Sequence, residues 1–134
     1  MKYGKAIYGI LSNAASVTAV VGTGDNCRVY PLIAPQEKRF PYIVYTVVSI
    51  DPDDSKDGVS KLDNFIVQVS CFGENYNQTA TLAGNVRTAL DRYTGTINGV
   101  EVDGVRLEAS REDVEDETKV VYHISQDFKV RIKN

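Results

Sequence analysis

The chain has 134 residues, of which 43% are hydrophobic and 25% are charged. This composition is typical of globular proteins and the length suits one domain, so we expect a single domain over residues 1–134. The net charge of −3 argues against a protein that binds the nucleic-acid phosphate backbone. No run of about 18 apolar residues is present, and we therefore expect no membrane-spanning helix.

The first half of the sequence predicts one helix followed by strands. Apolar residues recur at helical spacing over residues 2–12. Residues 16–21 fit either a further helical turn or a short strand, and residues 28–30 fit a short extended piece. The β-branched and aromatic run over 42–50 predicts a central strand with both faces covered, and the alternation over 64–72 predicts the next strand.

A second helix is predicted over residues 75–93, with Gly95 as its stop. Its expected apolar stripe consists of Tyr76, Ala80, Ala83, Val86, Leu90 and Tyr93. Gly84 lies inside this helix, where glycine costs about 1 kcal/mol relative to alanine. A close approach of the helix to the sheet is the expected reason for a glycine there.

Strands return after the second helix. The dipeptides Asn98-Gly99 and Asp103-Gly104 are both typical of hairpin turns and predict a short ribbon within residues 96–107. Alternating apolar and charged residues then predict two longer strands, with one face packed and one in solvent. The predicted fold is therefore α+β, with an antiparallel or mixed sheet of four to five strands and two helices packed on one face.

Two polar segments are expected to lie in solvent. Residues 51–58 contain turn formers and nothing to bury, which predicts a loop. Residues 112–117 include five acids and are expected to form an acidic turn between the last two long strands.

The residue types needed for catalysis or metal binding are sparse. His123 is the only histidine and no nucleophile adjoins it in the sequence. Cys27 and Cys71 lack the spacing of a zinc site, and buried thiols are expected. Residues 53–58 partly match a calcium-binding loop, but Asn64 stands where that site needs a bidentate glutamate. We therefore expect no enzyme, no catalytic residue, no metal and no cofactor.

The segment over residues 28–45 resembles the signature of the phage tail-completion, or tail-to-head joining, family. The matching pieces are Arg28-Val29-Tyr30-Pro31, then Pro35-Gln36, then Phe40-Pro41-Tyr42-Ile43-Val44-Tyr45. The later helix also fits the family's pattern, through Ala80, Leu82, Ala83, Val86, Arg87, Ala89 and Leu90. The order of elements agrees over nearly the whole chain.

This resemblance implies a structural protein of the phage or prophage virion, made in the host cytoplasm and located at the head-tail interface. Its expected form is a homo-oligomeric ring, commonly of six subunits, that joins the tail tube protein to the connector of the head. DNA would pass through such a ring without being specifically bound.

Under this interpretation the partner contacts are expected in the two polar segments. The candidate residues are Asp51, Asp53, Asp54, Lys56, Asp57, Glu112, Asp113, Glu115, Asp116 and Glu117. We expect residues 51–61 to be poorly ordered in the lone subunit and ordered on assembly. Two alternatives stay open, namely a tail terminator that stops tube growth and a small cytosolic adaptor or regulatory binding domain.

Overall fold

The structure, a computed structural model, describes residues 2–36, 38–55, 58–116 and 119–133. Its elements are α1 (Lys2–Asn13), α2 (Ala15–Val21), a short 3-10 turn (Gly24–Asn26), β1 (Val29–Pro31), β2 (Tyr42–Ser55), β3 (Gly58–Gly73), α3 (Tyr76–Leu90), β4 (Gly95–Ile97), β5 (Val100–Asp116) and β6 (Val120–Lys133). The strands form one curled sheet in the order β1-β2-β3-β6-β5-β4, in which only β1 and β2 are parallel among the described pairs.

The α+β class is confirmed, whereas the expected numbers of elements are wrong. The described residues form six strands and three α-helices rather than four to five strands and two helices. Residues 15–21 adopt the helical alternative. The two short strands have three residues each: β1 lies at the extended piece expected over 28–30, and β4 belongs to the ribbon expected within 96–107.

The core lies between the helices and one face of the sheet. On β3 the side chains of Phe65, Val67, Val69 and Cys71 point to this inner face and are buried, as the alternation predicts. They are continued on β6 by Ile124, Phe128, Val130 and Ile132. Burying each such large apolar side chain contributes about 1.5–3 kcal/mol, so this double row anchors the domain.

The start of helix α3 has an identifiable cause. The Asn75 side chain caps it by accepting a hydrogen bond from the backbone N–H of Gln78 at 3.0 Å. The helix ends at Leu90, three residues before the predicted end at residue 93.

The predicted stripe of α3 is partly right. Its buried residues are Thr79, Leu82, Ala83, Val86 and Leu90. Tyr76 is exposed instead, because its hydroxyl donates a hydrogen bond to the carboxylate of Glu112 on β5.

Helix α1 contacts strands near both edges of the curled sheet. Near its start, Gly4 faces the ring of Tyr45 on β2. One turn later, Gly9 lies so close to Asn98 and Ile97 at the β4–β5 turn that a Cβ atom would come within 2.6 Å of each side chain. The Asn98 amide also donates to the Lys5 carbonyl at 3.2 Å. This helix therefore fixes how far the sheet curls.

The two predicted hairpin dipeptides behave differently. Asn98 and Gly99 have φ values of 50° and 78° and form the tight β4–β5 turn, as expected. Asp103 and Gly104 do not form a turn, because β5 continues through them. Instead the register against β6 shifts between Val102 and Gly104, which is a β-bulge.

The prediction that β2 is covered on both faces is wrong. The helices pack on its inner face alone, and β1 pairs with only Ile43, Val44 and Tyr45. Beyond these residues the strand becomes exposed, with 60% of Val48 accessible to solvent.

The expected close approach of α3 to the sheet at Gly84 is also wrong. Gly84 is exposed, and a Cβ atom built on it meets nothing within 4 Å. We expect Gly84→Ala to raise the free energy of unfolding by about 1 kcal/mol, because alanine loses less backbone entropy. Urea unfolding measures the change.

Gly73→Ala is the matched control. A Cβ atom there collides with the buried Thr79 side chain, so we expect a loss of about 1–3 kcal/mol. Equal stability of the two alanine variants would contradict this placement of α3.

Candidate interaction surfaces

The two polar segments lie at opposite ends of the sheet. At one end β2 and β3 form a hairpin whose last described pair is Ser55 with Gly58. At the other end β5 and β6 form a hairpin whose last described pair is Asp116 with Val120. Strand β3 has 16 residues, which span roughly 50 Å when extended. The molecule therefore presents two separate ends to its surroundings.

Neither predicted loop is a loop in the described residues. Asp51, Asp53 and Asp54 belong to β2, whereas Glu112, Asp113, Glu115 and Asp116 belong to β5. Lys56, Asp57 and Glu117 lie outside the described residues. Turn-forming side chains do not prevent a strand when the neighbouring strand supplies a full ladder of backbone hydrogen bonds. The candidate contact residues that the structure describes are therefore carried on β2 and β5.

The acidic end of β5 is tied to α3 and β6 by side chains. The Tyr76 hydroxyl donates a 2.6 Å hydrogen bond to Glu112, and this bond raises the pKa of the tyrosine above its usual range. Arg111 pairs with Asp127 of β6 at 3.1 Å. These contacts hold the backbone of the acidic segment in place while the carboxylates of Glu112, Asp113 and Glu115 remain exposed.

An aromatic ladder crosses the outer face of the sheet, which is the face away from the helices. The rings of His123 and Phe72 stack with centroids 4.3 Å apart, and Phe72 stacks on Tyr42 at 4.9 Å. His123 Nε2 lies 2.8 Å from the hydroxyl oxygen of Ser125, which in turn lies 3.2 Å from that of Ser70. These contacts connect β2, β3 and β6 at this end of the outer face.

His123 is half-buried in this ladder. Ser125, whose hydroxyl contacts it, is 5% exposed, and this hydroxyl also contacts that of Ser70. A serine nucleophile must reach a substrate carbonyl, which a buried hydroxyl does not. The contact therefore acts as a structural hydrogen bond.

Burial lowers the pKa of His123 below its usual value. Asp113 and Glu115 on β5 oppose this shift, and Arg111 reinforces it. The neutral imidazole is favoured in the folded protein.

An apolar groove of about 560 Å³ opens beside α1. Tyr8 of α1, Tyr45 and Val47 of β2 and the β4–β5 turn line it. Leu32 stands at its rim with 72% of its surface accessible. Such a groove can accept an apolar side chain, and its lining carries few groups for specific chemistry.

The described residues contain no group of three or more histidine, cysteine or acidic side chains placed to hold a metal ion. Cys27 and Cys71 are free thiols and both are buried. Burial raises the pKa of Cys71 to about 12, so that the reactive thiolate is disfavoured. Among these residues, no helix is long and apolar enough to cross a membrane.

Comparison with known proteins identifies the family. The model for tail completion protein gp17 matches residues 5–133 of this chain. The chain belongs to the tail completion protein gp17 family. It is therefore a structural protein of the bacteriophage tail, associated with the virion, and the resemblance drawn from residues 28–45 is confirmed.

A solved structure shares the fold of this chain. A chain from the virion of a native gene transfer agent particle matches with a TM-score of 0.74 and 18% sequence identity. The match covers 96% of this chain and 92% of the other. No curated protein matches the sequence.

The position of His123 predicts a pH-dependent stability. The unfolded chain binds a proton at the histidine more readily than the folded chain, so stability falls as the pH drops below about 6.5. His123→Phe keeps the stacking on Phe72 but removes the proton site. Between pH 7.5 and 5.5 we expect the wild type to lose more free energy of unfolding than this variant, as measured in urea. Parallel losses would show that His123 is not the responsible group.

Proposed function

We propose that this protein is a ring subunit at the head-proximal end of the tail, where it joins the tail tube to the connector of the head. The observation that carries the proposal is the match to the tail completion family over residues 5–133. Joining two different structures requires two separate contact surfaces on one rigid body. The hairpin ends, at opposite ends of the sheet, supply them.

The candidate contact residues suit protein partners. Glu112, Asp113 and Glu115 are exposed, and their strand is held in place through Tyr76 and Arg111. A charged surface on a fixed backbone loses little conformational entropy when it binds. We assign the acidic ends of β5 and β2 as the two docking surfaces, one for the tube and one for the connector.

The charge of the protein fits a role beside DNA rather than on it. The net charge is −3, and acidic groups along a passage repel phosphates instead of retaining them. DNA would then move through the ring without specific contacts. Assembly would take place in the host cytoplasm before the virion is complete.

A ring of identical copies needs two different surfaces on each copy that fit each other. The two long sides of the sheet are formed by different strands, so the molecule offers two different surfaces for such a contact. Self-association is therefore expected to be head-to-tail and to close, commonly at six copies.

Loss of the protein distinguishes joining from length control. Phage that lack this gene product are expected to accumulate full heads and tails of normal length that remain separate, because only the joint is missing. Electron microscopy of the lysate scores both features, and adding the purified protein should restore joined particles. Tails of abnormal length would instead show that the protein is a terminator.

A further inference from the structure

The sheet leaves two long stretches of strand edge uncovered. Strand β1 pairs with residues 43–45 of β2, and a single backbone bond from Leu32 extends this cover. Beyond it, no described strand pairs with residues 46–55 on the edge of β2 that points away from β3. We call this stretch the β2 edge.

The other uncovered stretch is on β5. Strand β4 covers residues 100–102, and the segment after α3 continues the cover. There the Arg92 N–H donates to the Val105 carbonyl at 2.7 Å, and the Asp91 carboxylate accepts from the Leu107 N–H at 3.1 Å. Past these contacts, no strand in the described part of the chain pairs with residues 109–116 on the edge of β5 that points away from β6. We call this stretch the β5 edge.

Exposed apolar side chains lie on both edges. Val48 and Ile50 belong to the β2 edge and are 60% and 40% accessible. Val114 belongs to the β5 edge and is 50% accessible. Long edges with exposed apolar residues invite pairing with another chain, and stable monomers usually block them with charges, bulges or cover. Both stretches carry charges, and the β2 edge also contains Pro52 and a β-bulge, so a strand that pairs here must complement the charges.

We propose that neighbouring copies join edge to edge, with the β5 edge of one copy paired to the β2 edge of the next. This inference rests on the proposed ring and adds how its subunits interlock. Since β2, β3, β6 and β5 alternate in direction, a following β2 continues the sheet as an antiparallel neighbour. The occupant of each edge is therefore a second copy of this chain.

Charge and face select the register of the junction. Arg111 and Asp51 both lie on the outer face, because their cross-strand partners Ser125 and Asn64 do. Placing Arg111, which pairs with Asp127 of its own copy, opposite the neighbour's Asp51 adds a second carboxylate beside the guanidinium. The same register brings Val114 within one rung of Ile50 on the inner face. Cross-strand charged and apolar pairs of this kind stabilise the pairing of neighbouring strands.

The stagger in this register is compatible with a closed ring. Arg111 is level with Ser70 of β3, whereas Asp51 is level with Asn64, six residues away. Neighbouring copies are thus offset by about 20 Å along the strands, while the four long strands are about 19 Å wide. The offset is cancelled when the strands are inclined by about 45° to the ring axis. This inclination is close to the usual strand tilt in closed sheets. The copies then lie at one level.

Disulfide cross-linking tests the junction directly. In the proposed register Ser49 of one copy is opposite Asp113 of the next, and both are exposed. Particles are assembled from a mixture of Ser49→Cys and Asp113→Cys chains and oxidised. The control mixture uses Ser49→Cys with Glu101→Cys, which places the thiol on β5 where β4 covers it. Native Cys27 and Cys71 are buried and should not react.

We expect a cross-linked dimer on a non-reducing gel that is about ten-fold stronger than in the control, because a disulfide requires closely placed Cβ atoms. Purified particles that hold several copies but give no dimer above the control would overturn the edge junction and leave the ring intact. A single copy per particle, measured by mass, would overturn both the ring and the junction.

Discussion

The structure depends on the covering of one face of a long, curled sheet. The inner row of β3, from Phe65 to Cys71, packs under the helices, and α1 crosses from β2 to the β4–β5 turn. Gly9 permits this crossing, since any Cβ atom there would strike Asn98 or Ile97. The curl is thereby set within the subunit, and the outer face and the strand edges remain for other contacts.

The unequal lengths of the strands connect this architecture to assembly. The four central strands have 14 to 17 residues, whereas β1 and β4 have three each. Short outer strands close the sheet only where the helices also pack. The long strands continue past that region, and they carry the acidic residues to its ends. A protein with a buried core, a rigid acidic end and free edges is suited to docking, which agrees with a structural role in the tail.

Much of the fold could be read from the sequence, because its core follows simple periodicities. The alternation on β3 and the Asn98-Gly99 turn were predictable, and so was the buried part of α3 near Val86. The family was recognisable from residues 28–45, where core-type residues keep a particular order.

Other features depend on distant partners that a local pattern does not contain. Residues 51–55 and 112–116 looked like loops, since their side chains favour turns, but ladders with β3 and β6 extend them. Tyr76 is not part of the buried stripe, because Glu112, 36 residues away, accepts a hydrogen bond from its hydroxyl. Likewise, the ladder at His123 needs Phe72 and Tyr42 from two other strands. An electron cryomicroscopy reconstruction of the assembled particle, at a resolution that separates strands, tests the account most directly. It should show one sheet running from subunit to subunit, with β5 of each copy beside β2 of the next; subunits that meet through their helices, with both edges in solvent, would contradict it.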